Sequence, residues 1–270
     1  MSGAGFRFAL KAAPPARVDM TGITPDRLAG FDAGAVARLT VFVGATAVAL
    51  GDVFAISGGP GERLTLEGHT RLDNVGAGMA AGHLLVEGPV GALAGAGMST
   101  GHLSIRGDAG DDLGAGLAGG CIDLAGDAGA RLAGALPGER RGMSGGTVRV
   151  TGEVGPQACE RMRGGVVLIA GSAGAGAAQR MIAGTLAVKG ELGPDAGIGM
   201  KRGTLLLDKA PELLSAGFGD AGEHDLVFLA LLARRRPEVA TLFGGPLSGR
   251  ARRLVGDRLV GGQGEMLVLL

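Results

Sequence analysis

Glycines recur in this chain at a step of 19 residues. From Gly82 the series runs to Gly101 and Gly120, passes over 26 residues to Gly146, then resumes at Gly165, Gly184 and Gly203. The long interval exceeds the others by 7, and the surplus falls on Leu136 to Gly142, which reads as a loop inserted into one repeat. Other columns keep step with these anchors. Gly88, Gly107, Gly126, Gly152, Gly171 and Gly190 lie six residues after them. Gly91, Gly110, Gly129, Gly155, Gly174 and Gly193 lie nine after. Met79, Met98, Leu117, Met143, Met162, Met181 and Met200 lie three before. A fixed period of this length is the mark of a stacked repeat architecture.

Each anchor opens a short alternating run. Its apolar positions are Leu84/Val86, Leu103/Ile105, Ile122/Leu124, Val148/Val150, Val167/Ile169, Leu186/Val188 and Leu205/Leu207. The residues between them are mixed: Leu85, Ser104, Asp123, Arg149, Leu168, Ala187 and Leu206. Period-2 alternation with one apolar face predicts a strand with one side buried. No helical pattern intervenes, so the strands are expected to stack directly. A single coil cannot bury its own apolar side, whereas coils stacked about 4.8 Å apart form one continuous interior. The prediction is an all-β chain wound as a right-handed parallel β-helix, with seven coils rising roughly 30–35 Å. Glycine suits the corners, where the backbone bends and neighbouring coils leave little room for a Cβ. The methionine column is expected to fill an inner corner.

A solenoid must cover its ends, because open coils expose unpaired backbone. Residues 1–50 are less repetitive and are expected to form an N-terminal cap. Residues 51–208 are expected to form the β-helix, with Val53–Gly58 and Leu64–Gly68 as degenerate first coils. The pattern stops at Asp208, and Pro211 falls two positions beyond the next expected corner glycine. Residues 209–270 are expected to close the other end. Within them 223–236 reads as a helix with acidic residues at its start and arginines at its end, as the helix dipole favours. The segment from Leu254 to Leu270 is expected to fold back on the last coil.

Composition narrows the function. Glycine supplies 55 of 270 residues, far above the usual share of about 7%. Collagen is excluded, because no Gly-X-Y order exists. Disorder is opposed by a 46% hydrophobic content in regular positions. A formal net charge of zero and the absence of Trp and Tyr argue against a nucleic-acid partner. Two cysteines, Cys121 and Cys159, do not make a disulfide framework. Residues 1–10 carry no apolar signal core and no long uninterrupted apolar run follows, so no membrane association is expected and the predicted location is the cytoplasm.

No catalytic residue is assigned. The sequence holds no Walker motif and no Ser/His/Asp nucleophile pattern. The recurring Gly-x-Gly pairs precede strands, whereas a dinucleotide fingerprint opens a helix. His83, His102 and Cys121 fall on one 19-residue ladder. A straight ladder is a poor tetrahedral ligand set, so no metal is assigned. A polysaccharide-cleaving β-helix would need paired carboxylates, and no stacked acidic pair is visible. One charged feature remains. Arg140, Arg141, Arg161, Arg163, Arg180, Lys201 and Arg202 gather just before successive anchors, where earlier coils hold Gly, Ala, Ser or Thr. They predict a basic edge along the C-terminal half, read either as a solvated edge with Glu139 and Glu160 as counterions or as an anion-binding strip. The outward leucines Leu85, Leu168 and Leu206 are candidates for a partner-facing surface.

The repeat Gly-x-Leu-x-Val-x-Gly-x-x-Gly with its Gly/Met-rich turn resembles two related groups. One is the β-helical C-terminal domain of the glutamate synthase large subunit. The other is the C-subunit of formylmethanofuran dehydrogenase. The likeness spans roughly residues 50–208, and a free-standing chain of this size is more similar to the second group. That group includes subunits of archaeal molybdenum or tungsten enzymes. It also includes a bacterial relative, the formyltransferase/hydrolase complex, which an Ala/Arg-rich, Lys-poor composition favours. The resemblance implies a scaffold without a cofactor or active site of its own. Its implied partners are an amidohydrolase-like hydrolase subunit, a formyltransferase subunit and a small inactive dehydrogenase-like subunit. Such a complex moves a formyl group from tetrahydromethanopterin to a methanofuran-like carrier and releases formate. Because that carrier has a glutamate-rich tail, the basic edge is expected to contact it. The C-subunit of a molybdenum or tungsten enzyme, and a glutamate-synthase-like spacer, are the alternatives.

Overall fold

The computed structural model describes residues 5–270. Residues 1–4 of the expected N-terminal segment lie outside the described residues. The chain opens with strand β1 (Phe6–Leu10) and continues through β2 (Val18–Asp19), α1 (Pro25–Leu28), α2 (Ala33–Ala37), β3 (Thr40–Val43), β4 (Thr46–Ala49), α3 (Leu50–Val53) and β5 (Phe54–Gly58). Then come β6 (Arg63–Glu67) and β7 (Leu72–Asp73), followed by the repeating strands β8 (His83–Glu87), β9 (His102–Ile105), β10 (Cys121–Leu124), β11 (Thr147–Val150), β12 (Val166–Ile169), β13 (Thr185–Val188) and β14 (Thr204–Leu207). The chain closes with β15 (Gly219–Asp225), α4 (Val227–Arg235), α5 (Pro237–Leu242), β16 (Arg250–Gly256) and β17 (Gly264–Leu269).

Strands β6 and β8 to β14 lie side by side, parallel and in sequence order, within one 13-stranded sheet. The 19-residue step is one circuit of the chain, since His83 pairs with His102 and His102 with Cys121. Across the insertion Cys121 pairs with Thr147 in the same register, so the 7 extra residues leave the stacking untouched. A second parallel ladder joins Val90, Ala109, Ala128, Val154, Ala173 and Leu192, one bridge per coil. The fold is therefore strand-rich and solenoid-like.

Both apolar positions of each repeat point inward and are buried, and every member of the methionine column, Leu117 included, is 0% exposed. Full burial of one such side chain is worth about 1.5–3 kcal/mol, and the columns repeat it at each rung. Between the strands the backbone polar groups bond to the adjacent coil, as in Gly95 N to Val75 O and Gly114 N to Ala94 O, both 2.8 Å. Corner turns within a coil, such as Ala115 N to Asp112 O, satisfy further amides, so a 19-residue circuit containing only four to five strand residues can hold its shape.

The corner before each anchor alternates in and out of the left-handed region. In one coil the residues are Leu93, Gly95 and Gly97, with φ of 61°, 61° and 62°. In another they are Gln157, Cys159 and Arg161, with φ of 64°, 60° and 56°. The corner geometry thus persists where glycine is lost, at about 1–3 kcal/mol for each side chain forced into it. Glycine at the turn after the strand has a different cause. A Cβ on Gly171 would lie 2.4 Å from the Gly152 carbonyl oxygen of the coil below.

The ends differ from the sequence expectation in two places. Val53–Gly58 is no degenerate coil: β5 runs antiparallel to β1, and β1 takes the parallel place beside β6. The cause lies in the partner, since β1 supplies Phe6 and Phe8 to the core where a coil would supply aliphatics. Strands β2, β3 and β4 with β7 form a separate 4-stranded sheet. At the far end α4 starts at Val227, not at residue 223, and Glu223 and Asp225 belong to β15. Arg250 draws both carboxylates to β16, at 3.0 Å and 3.8 Å, and this strand pairing overrides the helix-dipole preference. The closing arginines Arg234 and Arg235 do lie in the last turn of α4. As expected, the tail returns: β17 pairs in parallel with β14 and adds a rung.

Helices α4 and α5 lie on the outer face of the sheet's C-terminal half. Leu229 and Val239 pack on Val166, Leu168, Ala187 and Leu206 together with Ala251 and Leu267. Leu168 and Leu206 are therefore covered by the chain's own helices, which corrects their reading as a partner-facing surface; Leu85 remains half-buried. The outward column of the other half, from Thr65 through Ser104 to Arg149, is half-buried. No helix among the described residues is long and apolar enough to cross a membrane.

The two kinds of glycine should separate by substitution. Nothing lies within 4 Å of a Cβ on Gly97, so Gly97→Ala should cost about 1–2 kcal/mol from its left-handed φ alone. Gly171→Ala, which drives a Cβ into backbone, should cost about 3 kcal/mol or more. Urea midpoints measure both, and equal losses would contradict the stacking distances.

Candidate functional site

Two places carry concentrated polar chemistry. The first is on the outer sheet face. Strands β9 and β10 present His102, Ser104, Cys121 and Asp123, and β11 adds Arg149, because alternate residues of adjacent strands share a face. His102 Nε2 lies 2.6 Å from Asp123 Oδ2, and Ser104 Oγ lies 3.2 Å from the same nitrogen. Arg149 donates to both Asp123 oxygens, with Nη2 3.0 Å from Oδ2 and a short bond from Nε to Oδ1. Its Nη2 also reaches Cys121 Sγ at 3.0 Å. The His83 ring lies 5.9 Å from that of His102.

This arrangement differs from the serine–histidine–carboxylate relay. A hydroxyl is deprotonated by one imidazole nitrogen while a carboxylate orients the other. Here Ser104 and Asp123 both approach Nε2. Burial acts to raise the Asp123 pKa, but the hydrogen bonds from Arg149 and His102 outweigh it and hold the carboxyl below its usual range. Burial, with the Asp123 charge added, pushes the Cys121 thiol up. Burial alone pushes the Cys159 thiol far up, so neither cysteine is a ready thiolate.

The second place is the basic edge. Arg140 and Arg141 stand exposed on the inserted loop. Arg161 and Arg180 occupy the corner column held elsewhere by Gly78, Gly97, Gly116 and Gly199, with φ of 56° and 55°. Both turn to Glu160, at 3.1 Å and 3.6 Å. Glu139 forms no ion pair among the described residues, so Glu160 is the counterion that the edge uses. Lys201 donates to the Val260 carbonyl at 2.7 Å. With Arg202 it lines a cleft of about 450 Å³ closed by Ile182, Ala183, Gly261 and Gln263. Arg163 is exposed on the coil between. The remaining histidines serve local turns, His69 accepting from Arg71 N and His224 lying 3.0 Å from the Ala221 carbonyl.

The sequence reading missed Asp123 and Arg149 as a pair. The signal was there: opposite charges on adjacent rungs of the outward column. It was masked by the 26-residue interval between them and by attention to the leucines of that column.

Stacked coils with polar clusters on their outer surfaces define a structural solenoid. No family model matches the sequence. A stretch of 78 residues, 28% of this chain, is 42% identical to the C-subunit of the formyltransferase/hydrolase complex of Methylorubrum extorquens and spans 29% of that protein. The X-ray structure of the formyltransferase/hydrolase complex from Methylorubrum extorquens, in complex with methylofuran, contains a chain of the same fold. That chain is 40% identical, with a TM-score of 0.91, and the match covers 98% of this chain and 99% of that one. The protein belongs to the C-subunit family of the formyltransferase/hydrolase complex, the bacterial relative that its composition favoured.

The Asp123 cluster makes a pH prediction. A carboxyl with a depressed folded pKa stabilises above its unfolded value, about 3.9, and that stability is lost as pH falls through the folded value. Below about pH 4 the wild type should lose stability faster than Asp123→Asn, which has no such proton to take up. Urea unfolding between pH 6 and pH 3 compares them, and parallel curves would show that the cluster holds no linked proton.

Proposed function

We propose that this chain is the non-catalytic scaffold of a formyltransferase/hydrolase complex in tetrahydromethanopterin-linked one-carbon metabolism, acting in the cytoplasm. The observation that carries this is the match along nearly its whole length to a chain of that complex. The misdirected Ser104 and Asp123 support a subunit whose chemistry lies elsewhere. In this reading the coils wind right-handed, as parallel crossovers almost always do. The segment up to Gly58 caps one end, the coils run from Arg63 to Asp208, and residues 209–270 close the other. The partners are a hydrolase subunit of amidohydrolase type, a formyltransferase subunit and a small dehydrogenase-like subunit without activity.

The basic edge is the carrier-contacting part of this reading, through Arg140, Arg141, Arg161, Arg163, Arg180, Lys201 and Arg202. Its support is electrostatic. Two corner positions that are easiest for glycine hold arginine instead, at a backbone cost of about 1–3 kcal/mol each. Other corner positions carry non-glycine residues at the same φ, among them Leu93 and Gln157, so the specific support is that these two side chains are basic and lie on successive coils. A chain of carboxylates laid along the edge would bridge successive coils and relieve the repulsion between like charges.

Two experiments test the proposal. Tagged chain expressed in its own host should purify with larger partners, and mass spectrometry should identify formyltransferase and hydrolase subunits; elution as a lone chain contradicts the assignment. Charge reversal of Arg161, Arg163 and Lys201 together should weaken retention of a methylofuran-type carrier on the order of tenfold at low salt. Undiminished retention by an intact complex would remove the edge from carrier binding.

A further inference from the structure

The outer sheet face carries a donor set that the straight His83–His102–Cys121 ladder did not contain. Asp123 lies two residues beyond Cys121 on the same face of β10, and His102 lies beside them on β9. Three different donors therefore form a triangle instead of a line. One atom from each of His102, Cys121 and Asp123 falls within 4.8 Å of the others. In a tetrahedral zinc site, bonds of about 2.0–2.3 Å place ligand atoms about 3.3–3.8 Å apart. His102 Nε2 lies 2.6 Å from Asp123 Oδ2, and Cys121 Sγ lies 3.9 Å from Asp123 Oδ1, on either side of that range.

The protein itself marks the point as one that takes a cation. The Arg149 guanidinium reaches both Asp123 oxygens and lies 3.0 Å from the Cys121 sulfur. Its side chain is 40% exposed, so it can leave toward solvent without unpacking the core. We propose that His102, Cys121 and Asp123 form a binding site for a borderline-soft divalent cation of the zinc type, which Arg149 occupies as a resident positive charge when the metal is absent. A nitrogen, a sulfur and an oxygen donor together select zinc over magnesium or calcium, which prefer oxygen alone. The fourth position falls to water or to His83, whose ring neighbours His102. Binding requires the Cys121 thiol to give up its proton to solvent, so one sulfur–metal bond replaces one sulfur–hydrogen bond. The metal's role here is structural, a staple between adjacent coils.

The test is a titration of the full chain with Co²⁺, followed by Zn²⁺. Wild type should show a near-ultraviolet thiolate-to-cobalt absorption that saturates at one ion per chain and is abolished by zinc. C121S should lose that absorption, and H102Q should weaken binding at least tenfold. R149Q removes the competing cation and should bind several-fold more tightly, a gain that misfolding cannot imitate. Absence of the absorption from both wild type and R149Q, or its survival in C121S, would overturn the site.

Discussion

The structure depends on one constraint: each coil buries its apolar face, and satisfies its strand backbone, against the next. The strand ladder, the single-residue bridges from Val90 to Leu192 and the corner bonds such as Gly95 N to Val75 O all run between coils. A side chain placed between two coils must therefore fit a gap set by backbone contact. Gly171 shows the limit, since even a methyl group would collide with Gly152. The methionine column shows the complement, as flexible thioethers fill what the corner leaves open.

The same constraint explains where chemistry can reside. The inside is sealed by aliphatic columns, which leaves the corners and the outer sheet face for polar groups. In the C-terminal half the outer face is occupied by α4 and α5, and charge appears at the corner instead, as Arg161 and Arg180. In the N-terminal half the face is only half-buried, and the His102–Asp123–Arg149 cluster sits there at the margin of α5, whose Glu238 and Thr241 line a pocket with Arg149. Stacking makes such clusters easy to build, because residues 19 apart in sequence become neighbours on adjacent rungs. It also makes them ladder-like, and a ladder rarely has the angles that a catalytic centre needs. The chain belongs to the C-subunit family of the formyltransferase/hydrolase complex, and the scaffold role proposed for it is one that such a solenoid suits.

Much of this was legible without coordinates. The glycine, leucine and methionine columns announced the circuit length, the inward positions and the inserted loop, because a repeat forces the same local problem to be solved the same way each time. The ends were less legible, since they occur once and have no second copy to check against. Phe54–Gly58 alternates like a coil strand, yet it pairs antiparallel because β1 already holds the parallel place. Glu223 and Asp225 suit a helix start by local preference, yet backbone pairing with β16 holds them in a strand.

Sequence by itself determined the period, the interior and the basic residues of the edge, because these follow from side-chain type at a fixed spacing. Only the tertiary structure decided what faces what outside the repeat. It buried Leu168 and Leu206 under helices roughly 20 to 70 residues further along the chain and turned Arg161 and Arg180 onto Glu160. It also closed His102, Cys121, Asp123 and Arg149 into one cluster. The physical reason is that inward positions answer to the repeat alone, whereas outward ones answer to whatever non-repeating segment, charge or partner comes to lie across them.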